Sequence, residues 1–125
     1  MPRTVVLRHD LPDGSSHFDW LIARDDRERG ADERVLVAFR LAASPADPNV
    51  SRLPATRMPD HRVLYLDYQG PVSGDRGTVT RVGEGWAAID REHEDRILFR
   101  ADLGSGRRRW HATRVEGDSW IFEAR

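Results

Sequence analysis

The sequence predicts a mostly β chain, an antiparallel barrel or sandwich with one long proline-rich loop and little helix. Three observations carry that reading. Nine short segments, most of them rich in β-branched and aromatic residues, are bounded by Gly, Asp, Pro or Ser. Their turn signals recur at regular spacing, as in all-β folds. Residues 42–60 differ from the rest, because four prolines there break any regular element.

The elements follow in order. TVVLRH (4–9) and HFDWLIA (17–23) form a hairpin through the turn LPDGSS. Period-two alternation in the second segment sets Phe18, Trp20 and Ile22 on an apolar core face and His17, Asp19 and Leu21 on the other. RDDRERGADE (24–33) is a charged hairpin tip. RVLVAFRL (34–41) is the third strand. AASPADPNVSRLPATRMPD (42–60) is read as a loop crossing the surface, with room for one short helical turn. VLYLDYQG (63–70) is read as the next strand. GTVTRV (77–82), WAAID (86–90), RILFRAD (96–102), RRWHATRV (108–115) and SWIFEA (119–124) complete the series.

Length and composition bound the function. A chain of 125 residues is expected to form one domain over residues 1–125, with a core sufficient without disulfides. The absence of cysteine excludes thiolate metal sites, iron–sulfur clusters and a cysteine nucleophile, and fits a cytoplasmic setting. All 20 basic residues are arginine, so Schiff-base and P-loop lysine chemistry is excluded. Arginine suits bidentate phosphate recognition, although GC-rich coding also enriches it. The net charge of −1 gives no global attraction to nucleic acid. MPRTVVLRHD turns charged at once, so no signal peptide is expected, and no apolar run reaches the length of a membrane helix. A monomer is expected.

The polar residues raise a second possibility beside an ordinary solvent face. His9 ends the first strand, and the hairpin can bring it beside His17 and Asp19. His61 precedes the segment 63–70, with Tyr65 four residues later on the same face. Two or three imidazoles and one carboxylate on neighbouring strands suit Mn²⁺, Fe²⁺, Zn²⁺ or Co²⁺. His93, in REHEDR, reads as exposed, and His111 reads as a solvent-face residue alternating with Arg109 and Thr113. Arg107, Arg108 and Arg109 after GSG read as a solubilising turn or as a grip on a phosphate backbone.

The order HD, HFDW, DHRVLY and YQG resembles the 3′-phosphoesterase module of bacterial DNA ligase D. That family carries HD…LHYDFRLE, SWAVPKGP, R…EDHPLxYxxFEG, a glycine-rich IPxGxYGxGxV and a closing GxWxLxR strand. His9-Asp10 matches the opening HD, and His17-Phe18-Asp19 matches HYD after a loop two residues longer. Asp60-His61 matches DH, and Tyr65 falls at the family tyrosine. Tyr68-Gln69-Gly70 stands at FEG. Pro71-Val72-Ser73-Gly74 and Gly77-Thr78-Val79 echo the glycine-rich segment, and residues 118–125 resemble the closing strand.

The resemblance implies a small antiparallel β-barrel with its site in the interior. It implies that His9, Asp19 and His61 hold a divalent metal, typically Mn²⁺, with Zn²⁺ or Co²⁺ as alternatives. His17 and Tyr65 would act on the phosphate, and Arg52 would stand at a family arginine, with Arg57 as the alternative. The partners implied are DNA or RNA–DNA 3′ ends, with a separate ligase or polymerase, and no membrane. Two departures stand out. Leu21 replaces an arginine, and Ala42-Ala43-Ser44-Pro45 replaces the PKG segment with its lysine. Losing one charge-stabilising donor costs about 10²–10³-fold in rate. Arg40 and Arg62 are the candidates to stand in. The competing readings are a catalytically degenerate module that binds metal or DNA ends, an Fe²⁺ oxygenase, and a β-barrel interaction module with incidental histidines.

Overall fold

Eight antiparallel strands close a barrel in a computed structural model that describes all 125 residues. The strands are β1 (Arg3–Asp10), β2 (Ser16–Ile22), β3 (Arg34–Leu41), β4 (Arg52–Arg62), β6 (Thr78–Glu92), β7 (Arg96–Asp102), β8 (Arg107–Glu116) and β9 (Ser119–Ala124). Between β4 and β6 lie a 3-10 turn (Val63–Leu66) and a two-residue strand, β5 (Gly70–Pro71). The order is β1-β2-β3-β4-β9-β8-β7-β6, and the pairing of β1 with β6 closes it. β5 hangs on the start of β6. Closure removes the unpaired edges that an open sheet of this size would expose. No helix is long and apolar enough to cross a membrane.

The barrel interior is a cluster of sixteen buried residues to which all eight strands contribute. Trp20 is its hub, with ring centroids 5.1 Å from Phe99 and 5.2 Å from Trp110, both edge-to-face. Phe122 packs edge-to-face on Phe39 at 4.6 Å. The expected core face of β2 is therefore correct for Trp20 and Ile22, with Phe18 packed at its margin. One polar group serves this core. The buried Thr4 hydroxyl accepts the Trp20 indole N–H at 2.8 Å and donates to the Leu21 carbonyl at 2.8 Å. Thr4→Val strands both partners in an apolar site, so it should cost about 1–3 kcal/mol in urea unfolding. Unchanged stability would contradict this role.

The outer face of β1–β3 is also buried. Val5, Leu7, Leu21, Leu36 and Ala38 form a second cluster covered by Leu66 of the 3-10 turn and by Tyr65, Tyr68 and Val72. Arg3 holds this cover down, bonding the Leu66 carbonyl at 3.1 Å and Asp67 at 2.8 Å. Leu21, at the position of the family arginine, is fully buried here.

Three expected elements differ. The loop expected over 42–60 ends at 51, and Arg52–Arg62 is β4. Its prolines sit where no ladder bond is demanded. Pro54 lies beyond the last β3 pair, Leu41–Ala55, and Pro59 lies in the irregularity between the Leu36–His61 and Ala38–Met58 pairs. The strand expected over 63–70 is a 3-10 turn followed by β5, since a short apolar run does not separate strand from helix. Segments 77–82 and 86–90 are one strand, β6. Gly85 marks a close approach instead of a turn, because a Cβ there would lie 1.7 Å from the Asp102 carbonyl oxygen.

Candidate metal centre

The β1–β2 hairpin builds the site. Its turn closes through Leu11 N–H to the Ser15 carbonyl at 2.8 Å, while the Asp13 carboxylate takes the Ser15 N–H and hydroxyl. Gly14 supplies the left-handed residue of the turn, φ +88°. This closure fixes a register in which His9 faces His17 and Leu7 faces Asp19. By alternation all three polar side chains leave the sheet on the face of Leu7 and Leu21. The site therefore lies on the outer face of the barrel, beneath the 63–77 segment, and not in the interior that the resemblance implies.

His9, His17 and Asp19 offer three donor atoms that all lie within 4.8 Å of one another. Asp19 is 8% exposed and faces an imidazole with each oxygen: His17 Nε2 at 3.2 Å from Oδ1 and His9 Nδ1 at 3.5 Å from Oδ2. No arginine pairs with this carboxylate, although Arg40 is its cross-strand neighbour on β3. A buried carboxylate needs a compensating positive charge.

The imidazoles are set up to leave that charge to a cation. His9 Nε2 donates to the Arg76 carbonyl at 2.6 Å, so in the neutral ring the lone pair is on Nδ1, toward Asp19. That contact is favourable only with a proton or a cation shared between the two atoms. His17 Nε2 is buried and makes no hydrogen bond, with Asp19 Oδ1 at 3.2 Å. Burial pushes the His17 imidazole below its ordinary value, against the pull of Asp19. A neutral imidazole is the ligating form, so proton competition at His17 sets in at a lower pH than for a free histidine. Two imidazoles and one carboxylate, one imidazole braced by a backbone carbonyl, fit a divalent cation such as Mn²⁺, Zn²⁺ or Co²⁺.

Gly77 delivers the brace. It has φ +90°, and a Cβ there would lie 1.9 Å from the Asp10 carbonyl oxygen. Only glycine lets the 72–77 loop pass this close to the end of β1 and present the Arg76 carbonyl to His9.

A cavity of about 590 Å³ opens above His9 and Asp19. Arg34, Arg40, Arg62 and Arg76 line it, and Asp19 is its one acidic residue. Arg62 is paired with Asp32, and the other three make no ion pair. His61 and Tyr65 line the same cavity, with ring centroids 6.2 Å apart. His61 Nδ1 donates to the Pro59 carbonyl at 2.8 Å, so in the neutral ring Nε2 is the nitrogen that carries the lone pair. His61 stands outside the three-donor cluster, which contains His17 in its place.

The remaining candidates lie elsewhere. Arg52 is an exposed residue of β4 whose nearest carboxylate is Glu123 at 4.0 Å. Arg57 stacks over Phe39 at 5.1 Å and Trp120 at 5.8 Å, near Asp60. Asp60 itself bonds Arg24 at 2.7 Å, and Arg24 also holds Glu92, tying the segment after β2 to β4 and β6. His93 is exposed, and His111 sits half-buried opposite Glu123 and Leu98. Two cavity residues, Arg34 and Arg76, escaped the sequence reading. Arg34 was within reach, since alternation in RVLVAFRL puts it on one face with Arg40. Arg76 reaches the site from a loop and contributes its main-chain carbonyl as well as its side chain, which no strand alternation reveals. No protein-family model matches this chain, and no curated protein matches it.

Proposed function

We propose that this chain is a divalent-metal-dependent phosphoesterase acting on 3′ ends of DNA or of RNA–DNA strands. The observation that carries the reading is a His9–His17–Asp19 donor set, two of whose members, His9 and Asp19, line a cavity that also holds four arginines. Such a cavity suits a dianionic phosphate better than a neutral ligand.

His9 Nδ1, His17 Nε2 and Asp19 would hold the metal, which would supply positive charge to polarise a phosphoryl oxygen. Arg34, Arg40 and Arg76 neutralise the remaining phosphate oxygens, taking the place of the family arginine and lysine that Leu21 and Ala42–Pro45 replace. The Tyr65 hydroxyl donates to the phosphate. His61 Nε2 accepts the proton of the attacking water, and the leaving hydroxyl departs protonated from solvent. His17 and His61 thus exchange the roles that the resemblance gives them, because His17 Nε2 is the buried atom beside Asp19.

The test is hydrolysis of primers ending in a 3′-phosphate or a 3′-ribonucleotide, with Mn²⁺. We expect phosphate or nucleoside release that falls at least about 100-fold in His61→Ala, in line with loss of a general base. Undiminished turnover in Asp19→Asn contradicts the proposal. A second reading, end binding without turnover, is favoured by the burial of Leu21, which leaves no cation at that position. It predicts salt-dependent binding of the same primers and no product.

A further inference from the structure

A second cavity, of about 510 Å³, adjoins the metal centre on its other side. Arg40 lines both cavities. His17 lines the second, whereas its partner Asp19 lines the first. The His17–Asp19 pair is therefore the wall between two spaces of opposite character. Ala42, Pro54, Val115 and Ile121 give the second space an apolar floor, and no acidic residue borders it. Val115 is 67% exposed, one of three large apolar side chains that reach solvent. It sits in the β8 irregularity between Arg114 and Glu116, where it has no cross-strand partner. Bulges of this kind re-aim side chains next to binding sites.

We propose that this shelf, formed by β4, β8 and β9, holds the nucleoside half of a 3′-terminal nucleotide whose phosphate lies in the arginine-lined cavity. The inference rests on the phosphoesterase reading. Three features favour this occupant. The shelf is continuous with the metal centre through His17 and Arg40. Both volumes fall in the roughly 300–1,000 Å³ range of small-molecule sites. The character changes from cationic to apolar across one side chain, as it does along a nucleotide from phosphate to base. Thr56 and Ser119 at the rim offer hydrogen bonds to the sugar or to a base edge.

The experiment uses the full chain loaded with Zn²⁺, titrated separately with inorganic phosphate and adenosine 3′-monophosphate. Calorimetry reads affinity, and methyl NMR reads Val115 and Ile121. The nucleotide should bind about tenfold tighter than phosphate, the worth of burying on the order of 60 Å² of apolar surface. Only the nucleotide should shift the two residues' methyl signals. Val115→Ser, at an exposed position, and Ile121→Ser should each weaken the nucleotide several-fold and leave phosphate unchanged. Equal affinities with phosphate bound overturn the shelf and spare the phosphoesterase reading. Failure of phosphate itself to bind overturns both. Methyl shifts that follow protein concentration alone place a second copy of the chain on the shelf and overturn the proposal.

Discussion

Asp19→Asn should lower Zn²⁺ or Mn²⁺ affinity by more than about 100-fold while the barrel stays folded. Asparagine keeps the shape of the side chain and removes its charge. Changing a group that only orients a metal ligand costs about 10–100-fold, and Asp19 would itself be the charged ligand. The apo protein gives the complementary result. Asp19 is a buried carboxylate with no arginine partner and only two imidazoles beside it. Neutralising it removes a desolvation cost, so the metal-free variant should be at least as stable as the metal-free wild type. At a metal concentration 100 times Kd, the wild type gains about 2.7 kcal/mol and the variant should gain almost none. Thermal unfolding with and without metal reads both effects. Equal metal-induced stabilisation in the two proteins contradicts the assignment of Asp19.

Gly77→Ala should cost about 3 kcal/mol and weaken metal binding about 10–100-fold. The added methyl would meet the Asp10 carbonyl oxygen at 1.9 Å, and both partners are main chain, so the 72–77 loop must retreat. Retreat takes the Arg76 carbonyl from His9 Nε2 and releases the tautomer that aims Nδ1 at Asp19. Gly74→Ala is the matched control. Gly74 also has a positive φ, +76°, but its Cβ would meet nothing closer than Arg76 Nε at 3.6 Å. It should cost about 1 kcal/mol and leave metal affinity unchanged. Similar metal affinities for the two variants would show that the loop does not position His9.

Much of this architecture is legible in the sequence because barrel strands announce themselves locally. RILFRAD and SWIFEA carry β-branched and aromatic residues, are preceded by turn residues, and match β7 and β9 end to end. What misleads is punctuation with a tertiary cause. Pro54 and Pro59 read as breakers, yet the places where they fall in β4 are set by where β3 ends and bulges. Gly83 and Gly85 fall between two expected segments, yet both lie within β6 and Gly85 makes room for the Asp102 backbone.

The site divides in the same way. His9, His17 and Asp19 are close in sequence and joined by one hairpin, so their meeting follows from a turn and a two-residue period. The place of His61 depends on the β3–β4 irregularity and on the 3-10 turn, both long-range outcomes that alternation does not encode. The burial of β2 on both faces follows from the cover over its outer side, which a one-sided pattern of apolar residues does not foretell.

His9 Nδ1 and His17 Nε2, with Asp19, should form a divalent-metal site. Histidine side-chain ¹⁵N NMR during a Zn²⁺ titration tests it most directly. His9 Nδ1 and His17 Nε2 should move together to metal-bound shifts at one equivalent, while His61 keeps its proton on Nδ1 and an unligated Nε2. Movement of His61 Nε2 in place of His17 Nε2, or no saturable movement at any histidine, would contradict it.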